Sequence, residues 1–494
     1  MNSRIRLPMG MVLATLLAAG CASTDGLRPQ ASINDANRLA ASRSLAQAGL
    51  SGTAWPKIDW WKQFGDPQLD ALMKEALAGN PSLRVAEART RRALATAGVA
   101  GSALSPQVTG TADITRERFP EHGLVPPPFA GSWNTENNLS INLSYDLDFW
   151  SRNRLAYESA LDGARIAEVD AFAARLFLSA GVAHAYVQLQ RVHEQLDIAE
   201  ATLAQREQIL ALTRDRVAAG IDSQLELKQA ESALPATRQQ IAALREAIQL
   251  TRNQLAALLG SGPDRGFAIR RPQAHGLGEP ALPSYLPANL VGRRPDVVAQ
   301  RLRVESARKE IGAARAEFYP NINLTAFLGV QSIGLSRLLQ AGSAVAGAGP
   351  ALSLPVFDGG RLRANLAGKD ADYDVAVEQY NQTLIDALRD VVDQLASFHW
   401  AEEQRGQLRI ALGTARDAYD LALARYKEGI GNYLQVLSAE SQVLAQQSLD
   451  ADLRARELDL SINLIRALGG GYGDNTPGAV VGALRKDKGN GQGT

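Results

Sequence analysis

Arg216-Val217-Ala218-Ala219-Gly220-Ile221-Asp222-Ser223 returns 209 residues later as Arg425-Tyr426-Lys427-Glu428-Gly429-Ile430-Gly431-Asn432. The same offset relates Leu225, Ala230, Glu231 and Ser232 to Leu434, Ala439, Glu440 and Ser441, and reaches from Arg152 and Arg361 to Gly260 and Gly469. Pro81 and Pro106 match Pro295 and Pro320 at an offset of 214, so the first copy carries five extra residues between Pro106 and Arg152. Solenoid repeats run at roughly 20–50 residues, so a period this long marks one architectural unit built twice. The copies are read as 60–260 and 286–470, with a linker of an equatorial region at 261–285 and a tail at 471–494.

Each copy carries the same elements. Asp66 before Pro67 reads as a helix cap with proline in the first turn. A short helix is expected to run to Ala78 and to break at Gly79-Asn80-Pro81, with a second from Ser82 to about Ala103. The counterpart of that second helix is expected from Asp296 to about Phe318. A hairpin follows in each copy, about 107–148 and about 320–357. In Asn138 to Leu147 every odd position is apolar and every even one polar, and Ile322, Leu324, Ala326, Leu328 and Val330 alternate in the same way. Such runs of about ten residues suit a tilted strand crossing a bilayer, and equally a half-buried soluble sheet.

Helical hairpins close the copies, 152–260 and 361–469, with long helices expected from Arg152 to about Ala218 and from Arg361 to about Lys427. Val182, Leu189, Leu196, Leu203, Leu210 and Val217 recur every seven residues, as do Leu227, Leu234, Ile241, Ile248 and Leu255. Sustained heptads mean helices packed side by side. Pro235 inside the returning helix is expected to bend it locally.

Lysine plus arginine equals aspartate plus glutamate, 52 each, so no global field favours nucleic acid or anionic lipid. The single cysteine, Cys21, follows Arg4, Arg6, an apolar run from Met9 to Ala19 and Gly20. That is a secretory signal over 1–20, and a cysteine directly after its small residues resembles a bacterial lipobox. Acylation of Cys21 would begin a tether at 21–59, and Ala22 after it points to the outer membrane by the lipoprotein sorting rule. Acyl chains hold by about 0.8 kcal/mol per buried methylene. Nothing after Cys21 approaches the ~18 consecutive apolar residues of a spanning helix. If the chain spans a membrane, strands must do it.

Two hairpins supply four strands, too few to close a barrel, and open edges are not tolerated in lipid. Two chains give eight strands and a barrel filled by its own side chains; three give twelve and room for a tube. A homotrimer is the consistent solution.

The signal-junction cysteine, Trp60-Trp61 through Asp66-Pro67, Arg294-Pro295-Asp296 through Phe318-Tyr319-Pro320, Phe357-Asp358-Gly359-Gly360-Arg361, Arg425-Tyr426 with Gly429, and Ala467-Leu468-Gly469-Gly470 occur in order. In these segments the chain resembles the TolC-like outer-membrane efflux factors, in their lipoprotein (OprM/NodT-like) branch. The resemblance implies a mainly α fold with membrane β: a trimeric twelve-stranded barrel continued by a long periplasmic α-helical barrel. It implies an outer-membrane duct of a Gram-negative cell, anchored at Cys21, that works with a periplasmic adaptor and an inner-membrane pump to export drugs or other toxic small molecules. A duct for protein secretion and a lipid-anchored periplasmic coiled-coil scaffold are the alternative readings.

No acid–base or nucleophile constellation is visible, and the five histidines show no metal-ligand spacing, so neither enzyme activity nor a cofactor is expected. The two helix turns are the candidate site. Locally, Gly220 and Gly429 end helices, and Asp222, Ser223 or Asn432 cap the next ones. By resemblance, Arg216, Gly220, Ile221, Asp222, Ser223, Arg425, Tyr426, Gly429, Gly431 and Asn432 form the periplasmic tip where the adaptor docks. The family often narrows its tip with inward aspartates just after the second turn, where this chain has Gln435 and Ser438. Asp222 and Glu226 are then the acids available to a constriction, and Tyr433 the residue able to block it by size. An acidic ring there would favour cations and bind divalent ions.

Overall fold

A computed structural model describes residues 23–39, 55–275 and 292–473. Cys21 and the signal before it, residues 40–54, the later part of the linker and the tail beyond 473 lie outside the described residues. The described elements are α1 (Pro67–Gly79), α2 (Pro81–Ser102), β1 (Gln107–Arg118), β2 (Trp133–Asp146), α3 (Arg152–Ala218) and α4 (Gln224–Leu258), then α5 (Pro295–Ala316), β3 (Asn321–Ile333), β4 (Ala344–Ser353), α6 (Arg361–Lys427) and α7 (Tyr433–Ala467). The duplication is visible in the lengths: α3 and α6 each have 67 residues, about 100 Å of helix, and α4 and α7 each have 35. Much of the first copy's excess lies between its strands, at 119–132 against 334–343.

The chain forms two compact units that cut across the sequence copies. One combines Arg89–Ala167, Gln300–Tyr380 and the N-terminal stretch ending at Ile33; the other combines Asn34–Ala88, Glu168–Ala299 and the chain from Asn381 onward. Each unit draws on both copies because a heptad face on one copy is buried against helices of the other, not against its own copy alone.

In the first unit the strands form one antiparallel sheet in the order β1-β2-β3-β4. Register aligns the apolar residues across all four: Gly110, Ile141, Leu328 and Ala346 form one row, and Val108, Leu143, Ala326 and Ala348 the next. Leu139, Ile141, Leu328 and Leu352 stand exposed on this face of the protomer. The opposite face carries polar side chains bonded to one another along β1, β2 and the start of β3: Thr111 Oγ1 lies 2.8 Å from Ser140 Oγ, and Asn323 Nδ2 donates to Ser144 Oγ at 2.9 Å. Below the sheet, Ser159 and Ser306 share a hydrogen bond of 2.8 Å between α3 and α5, and the fully buried Asp162 pairs with Lys309 and with Arg165. Gly312 makes room for Leu155, whose Cδ1 would stand 2.8 Å from an added Cβ.

The tether reads as a small, polar stretch with no period, yet its described part is docked on α6. Asp374 accepts the backbone N–H groups of Gln30 at 2.9 Å and Ala31 at 2.8 Å, Arg363 donates to the carbonyls of Ser23 and Asp25, and Leu27 packs beside Leu362 and Phe318. These contacts use the segment's backbone, which no side-chain pattern reports.

In the second unit, Asp66 caps α1 as expected, accepting Gln68 N–H at 2.9 Å. Its other oxygen accepts the Tyr186 hydroxyl at 2.6 Å and Gln273 N–H at 2.8 Å. Trp60, Phe64, Leu69, Met73, Leu189 and Leu255 fill the core around it. Helix α4 runs uninterrupted through Pro235.

The junctions from strand to long helix differ in one informative way. Ser151 (φ 60°) and its counterpart Gly360 (φ 89°) both take the left-handed conformation, which penalises a side chain by roughly 1–2 kcal/mol. Ser151→Gly is therefore expected to stabilise the protein by about 1 kcal/mol. The check is an upward shift of the thermal unfolding midpoint, with Gly360→Ser shifting it down.

Candidate functional site

Both helix turns of the second unit close by the same backbone device. Gly220 (φ 72°) and Gly429 (φ 80°) take the left-handed conformation, and Ile221 N–H and Ile430 N–H reach back to the carbonyls of Arg216 and Arg425 at 2.9 and 3.0 Å. These bonds satisfy carbonyls that the ends of α3 and α6 leave open. Ser223 then caps α4 in a capping box with Glu226, whose carboxylate accepts Ser223 N–H at 2.9 Å, and Asn432 caps α7 through Gln435 N–H at 3.0 Å.

Side chains break the symmetry. Arg216 grips Asp222 with two hydrogen bonds, Nε to Oδ2 at 2.8 Å and a terminal nitrogen to Oδ1 at 3.0 Å. Its other terminal nitrogen donates to the Tyr426 carbonyl at 2.6 Å, and the guanidinium lies over the Tyr426 ring, 4.3 Å from its centre. The Tyr426 hydroxyl donates to Asp222 Oδ2 at 2.7 Å and meets Thr213 Oγ1 at 2.9 Å. One hairpin thus supplies the ion pair and the other the phenol that closes it. The Arg216 and Asp222 side chains are 7% and 8% exposed, so the pair is withdrawn from water. Deeper in the unit, Arg206 of α3 reaches Glu440 of α7 at 2.9 Å and Thr237 of α4 at 2.8 Å, a second link between the copies.

The hydrogen bonds from Arg216 hold Asp222 below the usual carboxylate range, against the opposing effect of burial and with help from the Tyr426 hydroxyl. Burial, reinforced by the Asp222 carboxylate, pushes the Tyr426 phenol up to about 12. Glu226 is also lowered, first by the Ser223 hydroxyl.

The geometry redirects two of the expected constriction residues. Asp222 does not cap α4 and offers no free carboxylate, because both oxygens are engaged by Arg216 and Tyr426. Tyr433 is buried in the core of its own hairpin pair, its ring 6.2 Å from that of Tyr426. Glu226 is bound into its capping box, and Gln435 and Ser438 remain exposed on α7. Gly431 stands where the first copy has Asp222, and an added Cβ would lie 3.0 Å from Tyr426 N, a close contact, so the second turn carries no matching acid. Arg425 and Asn432 are exposed, as are Ile221 (59%), Leu225 (63%), Ile430 (70%) and Leu434 (61%), two apolar pairs matched between the copies. Arg206 and Glu440 escaped the sequence reading. The repeated Ala-Glu-Ser was the available signal, but Glu231 lies at the surface with Lys228 while Glu440 is buried with Arg206.

Asp222→Asn leaves the buried Arg216 without its counter-charge and is expected to cost about 3 kcal/mol, the lower end of the range for such losses because the amide oxygen still accepts a hydrogen bond. Tyr426→Phe is expected to cost about 1 kcal/mol. A carboxylate lowered in the folded state contributes stability above its unfolded value and loses it as pH falls through the folded one. Denaturant midpoints of the wild type and Asp222→Asn should therefore differ equally at pH 7 and pH 5, and converge only below roughly pH 4.

The model of the outer membrane efflux protein family matches residues 72–261 and 286–470, one match in each copy. The chain is 42% identical over 369 residues to the fusaric acid resistance protein FusA of Burkholderia cepacia, covering 74% of this chain and 69% of that one. It is 32% identical over 469 residues to the multidrug resistance outer membrane protein MdtP of Escherichia coli, covering 93% and 95%. The solved outer membrane protein VceC of Vibrio cholerae superposes with a TM-score of 0.79 at 36% identity, over 85% of this chain and 100% of that one. With its long helical hairpins, four-stranded sheet and paired turns, the chain belongs to the outer membrane efflux protein family.

Proposed function

We propose that three copies of this chain form a passive outer-membrane duct through which an inner-membrane pump and a periplasmic adaptor expel toxic small molecules. The observation that carries this reading is the sheet. One face is apolar across all four strands, the other carries polar side chains along β1 and β2, and among the described residues β1 and β4 leave their outer edges unpaired. In hydrocarbon those edges must find partners, and joining β1 of one copy to β4 of the next three times closes twelve strands with the apolar face outward. Cys21, acylated, adds a lipid anchor in the outer membrane. The names of FusA and MdtP, for fusaric acid resistance and multidrug resistance, support small organic toxins as cargo.

The turns are the docking tip. Ile221, Leu225, Ile430 and Leu434 present apolar side chains at matched places on both hairpins, the pattern expected of a surface repeated around a ring and covered by a partner. The link of Arg216, Asp222 and Tyr426 fixes one hairpin against the other beneath that surface. The duct carries no catalytic set, and energy and selectivity belong to the pump.

Native mass spectrometry of protein extracted from outer membranes is expected to give a trimer with acyl mass at Cys21. A deletion strain should accumulate drug and be rescued by the wild-type chain. Ile430→Asp/Leu434→Asp is expected to form normal trimers yet lose at least about tenfold in resistance, since buried apolar side chains contribute ~1.5–3 kcal/mol each to an interface. A soluble periplasmic monomer would replace the duct with a coiled-coil scaffold, and full resistance in the double variant would remove these residues from the docking surface.

A further inference from the structure

The polarity of the sheet continues past its apolar band in an orderly way. On the apolar face, the stretch from Ile322 to the level of Ile114, which pairs through Asn137 to Ser332, covers eleven residues of β3, or about 25 Å for a tilted strand. At the helix end of this band Trp150 stacks on Tyr319, ring centres 4.6 Å apart, and Phe149 is exposed beside them in sequence. At the hairpin end stands Trp133, 64% exposed and paired with Arg118. Aromatic residues at both rims of an apolar band mark the two membrane–water interfaces.

Arg116 lies one step beyond Ile114 on this same face. Strand alternation sends Arg116 and Arg118 to the lipid side and Asp113 and Glu117 to the other, so the lipid-side pair of cations has no acid from its own strand. Arg118 is tied down, donating to the Gly131 carbonyl at 3.1 Å and approaching Glu121 at 3.5 Å. Arg116 is exposed, and its guanidinium makes no hydrogen bond or ion pair among the described residues. Its cross-strand neighbour is Thr135, a neutral donor, and the diagonal neighbour is Trp133. A guanidinium fixed at the outer interface, with its stem along an apolar face and its head beyond it, matches a phosphate oxyanion in geometry and charge.

We propose that Arg116, flanked by Trp133 and Thr135, seats a phosphate of the phosphorylated glycolipid in the outward leaflet, one lipid per protomer. The proposal rests on the barrel reading above. The indole supplies apolar contact to the sugar and upper acyl region, and Arg116 makes the charge-assisted hydrogen bonds to the phosphate. The site would fix the depth and tilt of each hairpin in the outer leaflet.

The test uses the intact full-length protein purified from membranes, incubated with a bis-phosphorylated, acylated glucosamine disaccharide and, separately, with the same lipid after dephosphorylation. Native mass spectrometry is expected to show the phosphorylated lipid retained at one copy per protomer and the dephosphorylated lipid lost. Arg116→Gln should lower retention about tenfold and Arg116→Lys less, as expected for loss of a charged hydrogen-bond pair. Equal retention of both lipids by the wild type overturns the proposal, as does unchanged retention by Arg116→Gln. Should Arg116→Gln fail to assemble, the comparison of the two lipids on the unaltered protein decides. A protein mass other than the trimer overturns the barrel reading itself, and is distinguished from failure of the lipid site because retention is read only on trimers.

Discussion

Backbone hydrogen bonding in a medium without water is the constraint on which the rest depends. The four strands satisfy one another along three seams and leave a row of donors and acceptors on β1 and another on β4. In water such edges are a liability; in hydrocarbon they are untenable. The apolar face, continuous from Val108 across to Ala348, removes the option of leaving the sheet in water with that face bare. Association of copies therefore follows from the sheet before any interface side chain is considered, and the helices below inherit the symmetry that closure imposes.

Duplication supplies the helices, and departures from duplication supply the specific contacts. Equal lengths of α3 and α6, and of α4 and α7, give two superposable hairpins. Yet Arg216, Asp222 and Arg206 come from the first copy, and Tyr426 and Glu440 from the second. A symmetric pair of hairpins would slide or splay with little penalty. Polar links between the copies, from Arg206 to Glu440 and from Arg216 and Asp222 to Tyr426, make one arrangement better than its neighbours. Gly431 stands in the second copy where Asp222 stands in the first, so the ion pair is built once.

Much of the architecture was legible. Heptad spacing marks α3 and α4, the 209-residue offset carries the same hairpin to α6 and α7, the period-two runs mark the strands, and Asp66, Gly220, Gly429, Ser223 and Asn432 take the capping roles that their types and positions suggest. The motif repeated at the turns marks them as the candidate site. Inside it, the engagement of Asp222 by Arg216 and Tyr426, the burial of Tyr433 and the pairing of Arg206 with Glu440 have no local signature.

The difference is one of range. Helix periodicity, strand alternation, caps and left-handed glycines depend on neighbours within a few positions, and the duplication on matched residues, so the chain shows them unfolded. Folding sets what depends on groups brought together from afar. Tyr426 reaches Asp222 across 204 residues, and Gln30 finds Asp374 across 344. A carboxylate is free or engaged according to which donors folding places beside it and how much water remains. Glu231 and Glu440 share one local motif and meet opposite fates for that reason.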